Sequence, residues 1–121
     1  MRAKNTSYKI LKKELDRVFS LYIRKRDKKC ICCGSTKLLQ CGHYISRSNN
    51  ALRYDERNCN CQCMRCNVFL KGNYPVYSLK MIEKYGSDIL EKLDRDSKVF
   101  TKLSVSGLKQ MIVYYKNILK I

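Results

Sequence analysis

The sequence is short of acidic residues, with 10 Asp and Glu against 26 Lys and Arg, and the formal net charge is therefore +16. A field of that sign concentrates on polyanions, so nucleic acid is the leading expected partner and a membrane surface the alternative. Long apolar runs are also missing, and none approaches the ~20 residues that span a bilayer. No apolar signal region appears in residues 1–13, which are polar and basic. We expect no membrane association.

Histidine is nearly absent, whereas cysteine is abundant: one His and eight Cys occur in 121 residues. Without a secretion signal, eight cysteines indicate a reducing compartment in which thiolates bind metal instead of forming disulfides. We therefore expect a cytoplasmic protein. The length allows one domain, or a small domain with an appended helical tail.

Two Cys-x-x-Cys pairs predict a structural zinc site. Each pair can place two sulfurs on a tetrahedral Zn²⁺, and four thiolates leave no open position for water. Because the centre of the chain is short on apolar bulk, metal binding should supply much of its folding energy. The predicted ligands are Cys30, Cys33, Cys63 and Cys66.

The remaining cysteines leave alternatives open. Cys32 could replace Cys33, and Cys61 could replace Cys63. The spare thiols Cys32, Cys41, Cys59 and Cys61 are otherwise read as small buried hydrophobic groups. A rival interpretation is a second zinc site that would consume the histidine, with the ligands Cys41, His43, Cys59 and Cys61.

Apolar spacing and turn residues predict the elements around this centre. Amphipathic helices are expected over Tyr8–Arg26, capped by Thr6 or Ser7, and from Ser104 or Ser106 onward. Gly34 is placed where a turn requires positive φ. Between these lie a strand or hairpin arm within Leu38–Ile45 and a loop over Ser46–Asn60 with room for one short strand. They are followed by a helix over Cys63–Lys71, a helix from Pro75 to about Tyr85, and a short helix from Ser87-Asp88 to Leu93.

These elements predict an α+β fold: a small zinc-stapled strand–strand–helix centre, HNH-like, flanked by amphipathic helices. The corresponding division is an N-terminal helix packing on the core (1–28), the zinc-stapled centre (29–74) and a C-terminal helical extension (75–121).

Three polar residues within this centre occur in the order of an HNH-type nuclease motif. His43 ends the first strand, Asn58 lies in the following loop, and Asn67 follows the last cysteine. A neutral imidazole can take a proton from the attacking water, and an amide carbonyl can fix its tautomer. Asn67 is expected to bind a catalytic Mg²⁺ or Mn²⁺, which neutralises the leaving oxygen. The alternative is a structural or zinc-bound histidine.

Distinctive runs of residues occur over roughly Leu15–Tyr85. They are Phe19-Ser20-Leu21-Tyr22-Ile23-Arg24 with Arg26-Asp27, Cys30-Ile31-Cys32-Cys33-Gly34, Cys41-Gly42-His43-Tyr44-Ile45-Ser46-Arg47, Arg53-Tyr54-Asp55-Glu56-Arg57-Asn58, Gln62-Cys63-Met64-Arg65-Cys66-Asn67, and Leu70 with Gly72-Asn73. In these runs the chain resembles the NinG (Rap) family of phage recombination proteins. The resemblance implies an HNH-like, structure-specific endonuclease that acts on branched DNA such as Holliday junctions and D-loops. It also implies phage recombination proteins as partners and action on DNA in a bacterial host cell.

Two positions depart from the family pattern. Many HNH enzymes have an acidic metal ligand just before the histidine, where this chain has Gly42. The family tends to have a histidine at the position of Asn60. Asp55 or Glu56 is a candidate for the missing carboxylate. These departures favour a second function, a non-catalytic zinc-stapled module that binds DNA.

Basic residues around the centre are expected to contact phosphates, which position DNA without reading its sequence. We therefore expect preference for DNA shape. Symmetric junction cleavage would suit a homodimer, with the final helix and Tyr114-Tyr115 as its interface. The predicted DNA contacts are Arg24, Arg26, Arg47, Arg53, Arg65 and Lys71.

Overall fold

The structure, a computed structural model, describes the backbone of residues 2–121 and the side chains of residues 7–121. Helices and two short strands form a mixed α+β fold, which confirms the predicted class. The elements are α1 (Arg2–Asp27), β1 (Leu39–His43), β2 (Cys59–Cys63), a π-helix (Arg65–Phe69), α2 (Tyr74–Tyr85), α3 (Ile89–Ser97) and α4 (Val105–Leu119).

The chain divides into two compact units. One contains Met1–Tyr22 and Lys102–Ile121, and the other contains Ile23–Thr101. The predicted division into residues 1–28, 29–74 and 75–121 stays a prediction. Among the described residues, no helix combines the length and the apolar composition needed to cross a membrane.

The first unit is a pair of amphipathic helices, α1 and α4. The Phe19 ring packs edge-on against Tyr115, with 5.1 Å between ring centroids, and Leu15 is fully buried. As predicted, Ser104 caps α4: its hydroxyl oxygen accepts a hydrogen bond from the Gly107 N–H at 3.0 Å. The cap predicted for α1 is wrong, because α1 begins at Arg2 and continues through Thr6.

The second unit is organised around the antiparallel pair of β1 and β2, in which His43 lies opposite Cys59 and Cys41 lies opposite Cys61. Successive side chains of a strand point to opposite faces. One face, the cysteine face, carries Leu39, Cys41, His43, Cys59, Cys61 and Cys63. The other, the amide face, carries Gln40, Gly42, Asn60 and Gln62.

Helix α2 packs on the amide face. The Tyr77 hydroxyl donates a 2.7 Å hydrogen bond to the Gly42 carbonyl, and Asn60 Nδ2 donates to Tyr77 and to the sulfur of Met81. Tyr77 and Met81 are fully buried, and the same core includes Leu52 and Leu93. Pro75 lies in the first turn of α2, as predicted.

The predicted helix over Cys63–Lys71 is wrong in its bounds and its type. Cys63 is the last residue of β2, and the five residues Arg65–Phe69 form a π-helix. Helix α3 continues to Ser97 instead of ending at Leu93. The predicted helix started too early because Cys63 pairs with Leu39 in the sheet, and helical propensity carries no information about strand pairing.

Candidate functional site

Four thiols converge at one end of the sheet in the second unit. The sulfur atoms of Cys30, Cys33, Cys63 and Cys66 all lie within 4.8 Å of one another, and those of Cys33 and Cys63 are 3.6 Å apart. A tetrahedral ion with Zn–S bonds of about 2.3 Å requires roughly 3.8 Å between sulfurs. This cluster, the zinc clip, therefore has the ligands and spacing to hold Zn²⁺, and its members are the four predicted cysteines.

The loop that carries the first pair is held by backbone hydrogen bonds. The Gly34 N–H donates to the Cys30 carbonyl at 2.9 Å, and the Ile31 N–H donates to the Cys61 carbonyl of β2 at 2.8 Å. Gly34 has φ +78°, which confirms that this turn uses a residue able to adopt positive φ. Cys32 points elsewhere, since its sulfur accepts a hydrogen bond from the buried Gln62 amide.

The thiols of the clip differ in acidity. Burial alone would raise the pKa of Cys30, but neighbouring backbone N–H groups, first those of Cys33 and Cys63, lower it to about 7. Burial raises the pKa of Cys66, although the Asn73 amide donates to its sulfur at 3.7 Å. Cys30 is therefore more readily ionised than Cys66. Four thiolates this close together repel one another, so a cation is needed to hold them in place.

His43 is half-buried at the end of β1, and its ring is fixed by the backbone. Nε2 lies 2.9 Å from the carbonyl oxygen of Arg53. Because a carbonyl only accepts, this contact assigns the proton to Nε2 and leaves the lone pair on Nδ1. The sequence predicted that the Asn58 amide would orient the ring. The Arg53 carbonyl was missed because every residue has a backbone carbonyl, so no residue type indicates this contact.

Two thiols accompany His43 on the cysteine face. One ligand atom each from Cys41, His43 and Cys59 lies within 4.8 Å of the others. Cys59 is fully buried, its thiol donates to the Arg53 carbonyl at 3.5 Å, and burial raises its pKa well above the usual value. Cys61, the fourth member of the rival zinc site, is outside this group of three.

Asn58 is fully buried and holds the loop between the strands. Its Oδ1 accepts from the Ile45 N–H at 2.8 Å, and its Nδ2 donates to the carbonyls of Ile45 and Leu52. These contacts use both ends of the amide on backbone groups. They give Asn58 a structural part in positioning the segment that follows His43.

Asn67 lies on the π-helix and donates a 2.8 Å hydrogen bond to Gln40 Oε1. Gln40 is on the amide face, opposite to His43 and about 10 Å away along the strand. The structure therefore does not bring Asn67 and His43 together around one metal ion. The role of Asn67 as a ligand for Mg²⁺ or Mn²⁺ stays a prediction that this geometry does not favour.

Asn60 is also on the amide face, where donors surround its side-chain oxygen. Oδ1 accepts from Lys84 at 2.7 Å, from Tyr85 at 3.1 Å and from Arg26 at 3.2 Å. Two cationic donors on one oxygen make that oxygen a poor ligand for a metal cation. Asn60 instead links α2 to the end of α1.

Of the two candidate carboxylates, that of Asp55 is already paired with a cation. Both oxygens of Asp55 bind the Arg57 guanidinium; burial would raise the pKa of Asp55, but Arg57 lowers it overall. The backbone carbonyl of Glu56 accepts from Arg26. Gly42 gives no room for an acidic residue, because a Cβ there would lie 2.1 Å from Gln62 Oε1.

The predicted DNA contacts separate by burial. Arg26 binds Asp27 and the Cys59 carbonyl, and Arg53, 7% exposed, donates to the Arg47 carbonyl and the Tyr54 hydroxyl. These two guanidinium groups are engaged inside the protein. Arg24 is half-buried, and the three exposed residues of the predicted set are Arg47, Arg65 and Lys71.

A cleft of about 630 Å³ lies beside the zinc clip in the second unit. Lys29 and Lys80 line it and were not among the predicted DNA contacts. Lys29 could have been predicted to lie near the clip, because it directly precedes the ligand Cys30. Lys80 could not, because its position depends on how α2 packs. The other charged residues that line the cleft are Arg26, Asp27, Glu83 and Lys84.

Comparisons with known proteins give one family. The family model described as "Bacteriophage Lambda NinG protein" matches residues 1–121. The chain is 35% identical over 91 residues to protein ninG of Salmonella phage P22, covering 71% of this chain and 45% of that protein. It is 32% identical over 87 residues to protein ninG of Escherichia phage lambda, covering 68% and 43%. The chain thus matches less than half the length of these relatives, and no solved structure matches it.

Proposed function

Because the chain belongs to the NinG family of bacteriophage lambda-type proteins, we propose that it is a structure-specific endonuclease that hydrolyses phosphodiester bonds in branched recombination intermediates of DNA. Junctions of the Holliday or D-loop type are the substrates that the sequence resemblance implies.

The observation that carries this proposal is the held imidazole of His43. The contact from Nε2 to the Arg53 carbonyl leaves Nδ1 as the basic nitrogen, at a half-buried position on the end of β1. A neutral imidazole of fixed tautomer suits proton abstraction from water near pH 7. The activated water would attack the phosphorus in line and leave a 5′ phosphate and a 3′ hydroxyl.

The charge of the chain supports a nucleic-acid substrate. A net charge of +16 favours DNA through release of counterions, without regard to base sequence. Exposed Arg47, Arg65 and Lys71, together with Lys29 and Lys80 of the cleft, can contact phosphates. Contacts of this kind recognise the path of the backbone, as binding to a branched structure requires.

Hydrolysis of this type uses Mg²⁺ or Mn²⁺ to offset charge on the phosphate. Asn58 Oδ1 accepts from the Ile45 N–H, and Asn67 Nδ2 donates to Gln40 on the face of the sheet opposite to His43, so neither contact supports a metal site shared with His43. The reaction step proposed for this chain's own residues is therefore proton abstraction alone. Cleavage assays with and without a divalent ion test whether the ion is required.

The lack of contacts that support a metal site beside His43 favours a second candidate function, a zinc-stapled module that binds DNA without cutting it. One experiment separates the two functions. Purified protein is incubated with labelled junction, fork and linear duplex, with Mg²⁺, with Mn²⁺ or with EDTA. The endonuclease proposal expects cleavage of branched DNA that EDTA abolishes; binding without cleavage under every condition would support the second candidate.

Replacing His43 tests the assigned residue. His43→Gln is the matched variant, because its amide N–H₂ can still donate to the Arg53 carbonyl although it has no basic nitrogen. Cleavage should fall by about 10²–10⁴-fold in both His43→Gln and His43→Ala, with DNA affinity nearly unchanged. Full activity in His43→Gln would remove His43 from the reaction.

A further inference from the structure

We propose that Cys41, His43 and Cys59 form a second metal site, one that selects thiophilic ions such as Zn²⁺ and, when filled, inhibits cleavage by occupying His43. The metal-binding half stands on geometry alone, whereas the inhibitory half rests on the endonuclease function proposed above.

The three side chains converge from two paired strands. His43 lies directly opposite Cys59, and Cys41 is on the same face two residues earlier. Their ligand atoms are within 4.8 Å of one another, whereas a tetrahedral ion requires roughly 3.5 Å. With the imidazole held in place, small rotations of the Cys41 and Cys59 thiols can close a difference of this size.

The surroundings of His43 match those of a metal-bound histidine. Such a histidine commonly donates its other ring N–H to a carbonyl or carboxylate, which fixes the ring and raises its basicity. Here Nε2 makes that contact with the Arg53 carbonyl at 2.9 Å, which makes Nδ1 the proposed ligand for the ion. The strand pairing therefore presents an oriented ligand in addition to two sulfurs.

The donor set determines the class of ion. Two thiolates and an imidazole favour Zn²⁺ and other thiophilic ions over Mg²⁺ and Mn²⁺, which prefer oxygen. As Zn²⁺ binds, each Zn–S bond replaces an S–H bond and releases one proton to solvent, and the neutral imidazole binds through its lone pair. Three protein ligands leave the fourth position for water, unlike the closed zinc clip.

Occupation of this site conflicts with the role assigned to His43. The Nδ1 lone pair can bind a zinc ion or accept a proton from water, but it cannot do both. Zinc beyond one equivalent should therefore lower cleavage by about as much as removal of the base, on the order of 10²-fold, while Mg²⁺ should leave the second site empty.

Metal stoichiometry tests the site without reference to activity. Protein with its clip filled is titrated with Zn²⁺ against a chromophoric chelator, and the equivalents bound per chain are measured. The wild-type chain should bind two, and Cys41→Ser and His43→Ala should each bind one. Cys61→Ser is the matched control: Cys61 lies on the same face, opposite Cys41, but outside the group of three, so this variant should bind two.

A wild-type chain that binds one equivalent in excess zinc would overturn the site, and so would a second equivalent that persists in both Cys41→Ser and His43→Ala. Cobalt gives an independent signature, because the second equivalent of Co²⁺ should add a visible spectrum distinct from that of a tetrathiolate site and absent from Cys41→Ser.

Inhibition is then measured on the junction substrate, each variant against its own rate at one equivalent of zinc. A second equivalent should inhibit the wild-type chain and Cys61→Ser but not Cys41→Ser. A bound second zinc that leaves the rate unchanged or raises it would overturn the inhibitory half. If the protein never cleaves DNA, the proposed function and the inhibition fail together, while two equivalents of zinc would still establish the site.

Discussion

At the scale of single residues, Gly42 is the glycine with the least room for a side chain. A Cβ at this residue would lie 2.1 Å from Oε1 of Gln62, whose side chain is fully buried and held by a 2.8 Å hydrogen bond from Nε2 to the Gly72 carbonyl. Within the described residues, Gln62 Oε1 has no hydrogen-bond donor. The glycine is thus required by packing, on the face that His43 does not share.

Gly42→Asp is therefore expected to damage the fold and not to restore an acidic metal ligand. Even Gly42→Ala should lower the free energy of unfolding by about 1–3 kcal/mol through overpacking. Denaturant unfolding of the zinc-loaded protein measures this loss. In a Gln62→Ala background the cost of Gly42→Ala should largely disappear, because the clashing atom is gone. An equal cost in both backgrounds would assign the effect to the strand backbone.

Asp27 is a second residue with a calculable effect. Its carboxylate accepts from the Arg26 guanidinium and from the Cys61 N–H at 2.9 Å, and Lys84 lies 3.4 Å away. Burial would raise the pKa of Asp27, but Arg26 and the Cys61 N–H lower it overall. The ionised form is therefore the one that stabilises the second unit.

Asp27→Asn should reduce the free energy of unfolding by about 2–3 kcal/mol at pH 7, since charge-assisted hydrogen bonds are lost. With a folded-state pKa below the unfolded value of about 3.9, this stabilisation is present above pH ~4 and is lost as pH falls through the folded pKa. The measurement is the wild-type minus variant difference in the free energy of unfolding, at each pH at which the clip retains its zinc. Asp94→Asn, in an exposed pair with Lys98, is the control and should cost under about 1 kcal/mol.

At the scale of elements, sequence patterns predicted the helices better than the segment that carries the zinc clip. Apolar spacing predicted a final helix opening at Ser104 or Ser106 and a strand within Leu38–Ile45, and both occur. The π-helix was not predicted, because helical propensity does not separate the i+4 and i+5 hydrogen-bond patterns. The pairing of α1 with α4 joins opposite ends of the chain, which a local pattern cannot indicate.

For the candidate site, the four clip cysteines were predictable from spacing alone, and their sulfurs lie together. The gathering of Cys41, His43 and Cys59 depends on strand register, which sequence leaves open. The contacts of Asn67 with Gln40 and of His43 with the Arg53 carbonyl depend on three-dimensional placement. The residues of the site could therefore be predicted from the sequence, whereas their contacts with one another depend on the fold.

Asn73 joins the π-helix to α2, and its two roles there can be separated. It adopts left-handed φ of +48°, and its amide donates to the Cys66 sulfur. Asn73→Gly and Asn73→Ala should each weaken zinc binding by about 10-fold, because both remove a donor to a ligand. Asn73→Ala should also cost about 1 kcal/mol of stability, since alanine disfavours left-handed backbone.

Zinc affinity by chelator competition and stability by denaturant unfolding give the two readouts for Asn73. If Asn73→Gly retains wild-type zinc affinity, the amide-to-sulfur contact has no influence on the metal. If the two variants are equally stable, the backbone argument fails.

For the whole molecule, the zinc clip has the largest expected effect. Structural zinc in small domains contributes on the order of 10 kcal/mol, comparable with the ~5–15 kcal/mol of a folded domain. Cys63→Ser should therefore abolish zinc binding at the clip and cooperative folding of Ile23–Thr101. Cys32→Ser, a buried thiol outside the clip, should retain both. Metal analysis and thermal unfolding by near-UV circular dichroism measure the result; a zinc-free protein that still melts cooperatively would contradict it.

The helical unit is discontinuous, with residues 23–101 inserted between its two parts. Pairing α1 with α4 in an unfolded chain must close a loop of roughly 80 residues, at an entropic cost on the order of 4 kcal/mol. Once the inserted unit has folded, that loop is no longer a free polymer. We therefore expect a preferred order of folding, in which the contacts between α1 and α4 form last. The refolding rate of the helix pair should then depend on metal supplied to cysteines that the helix pair does not contain.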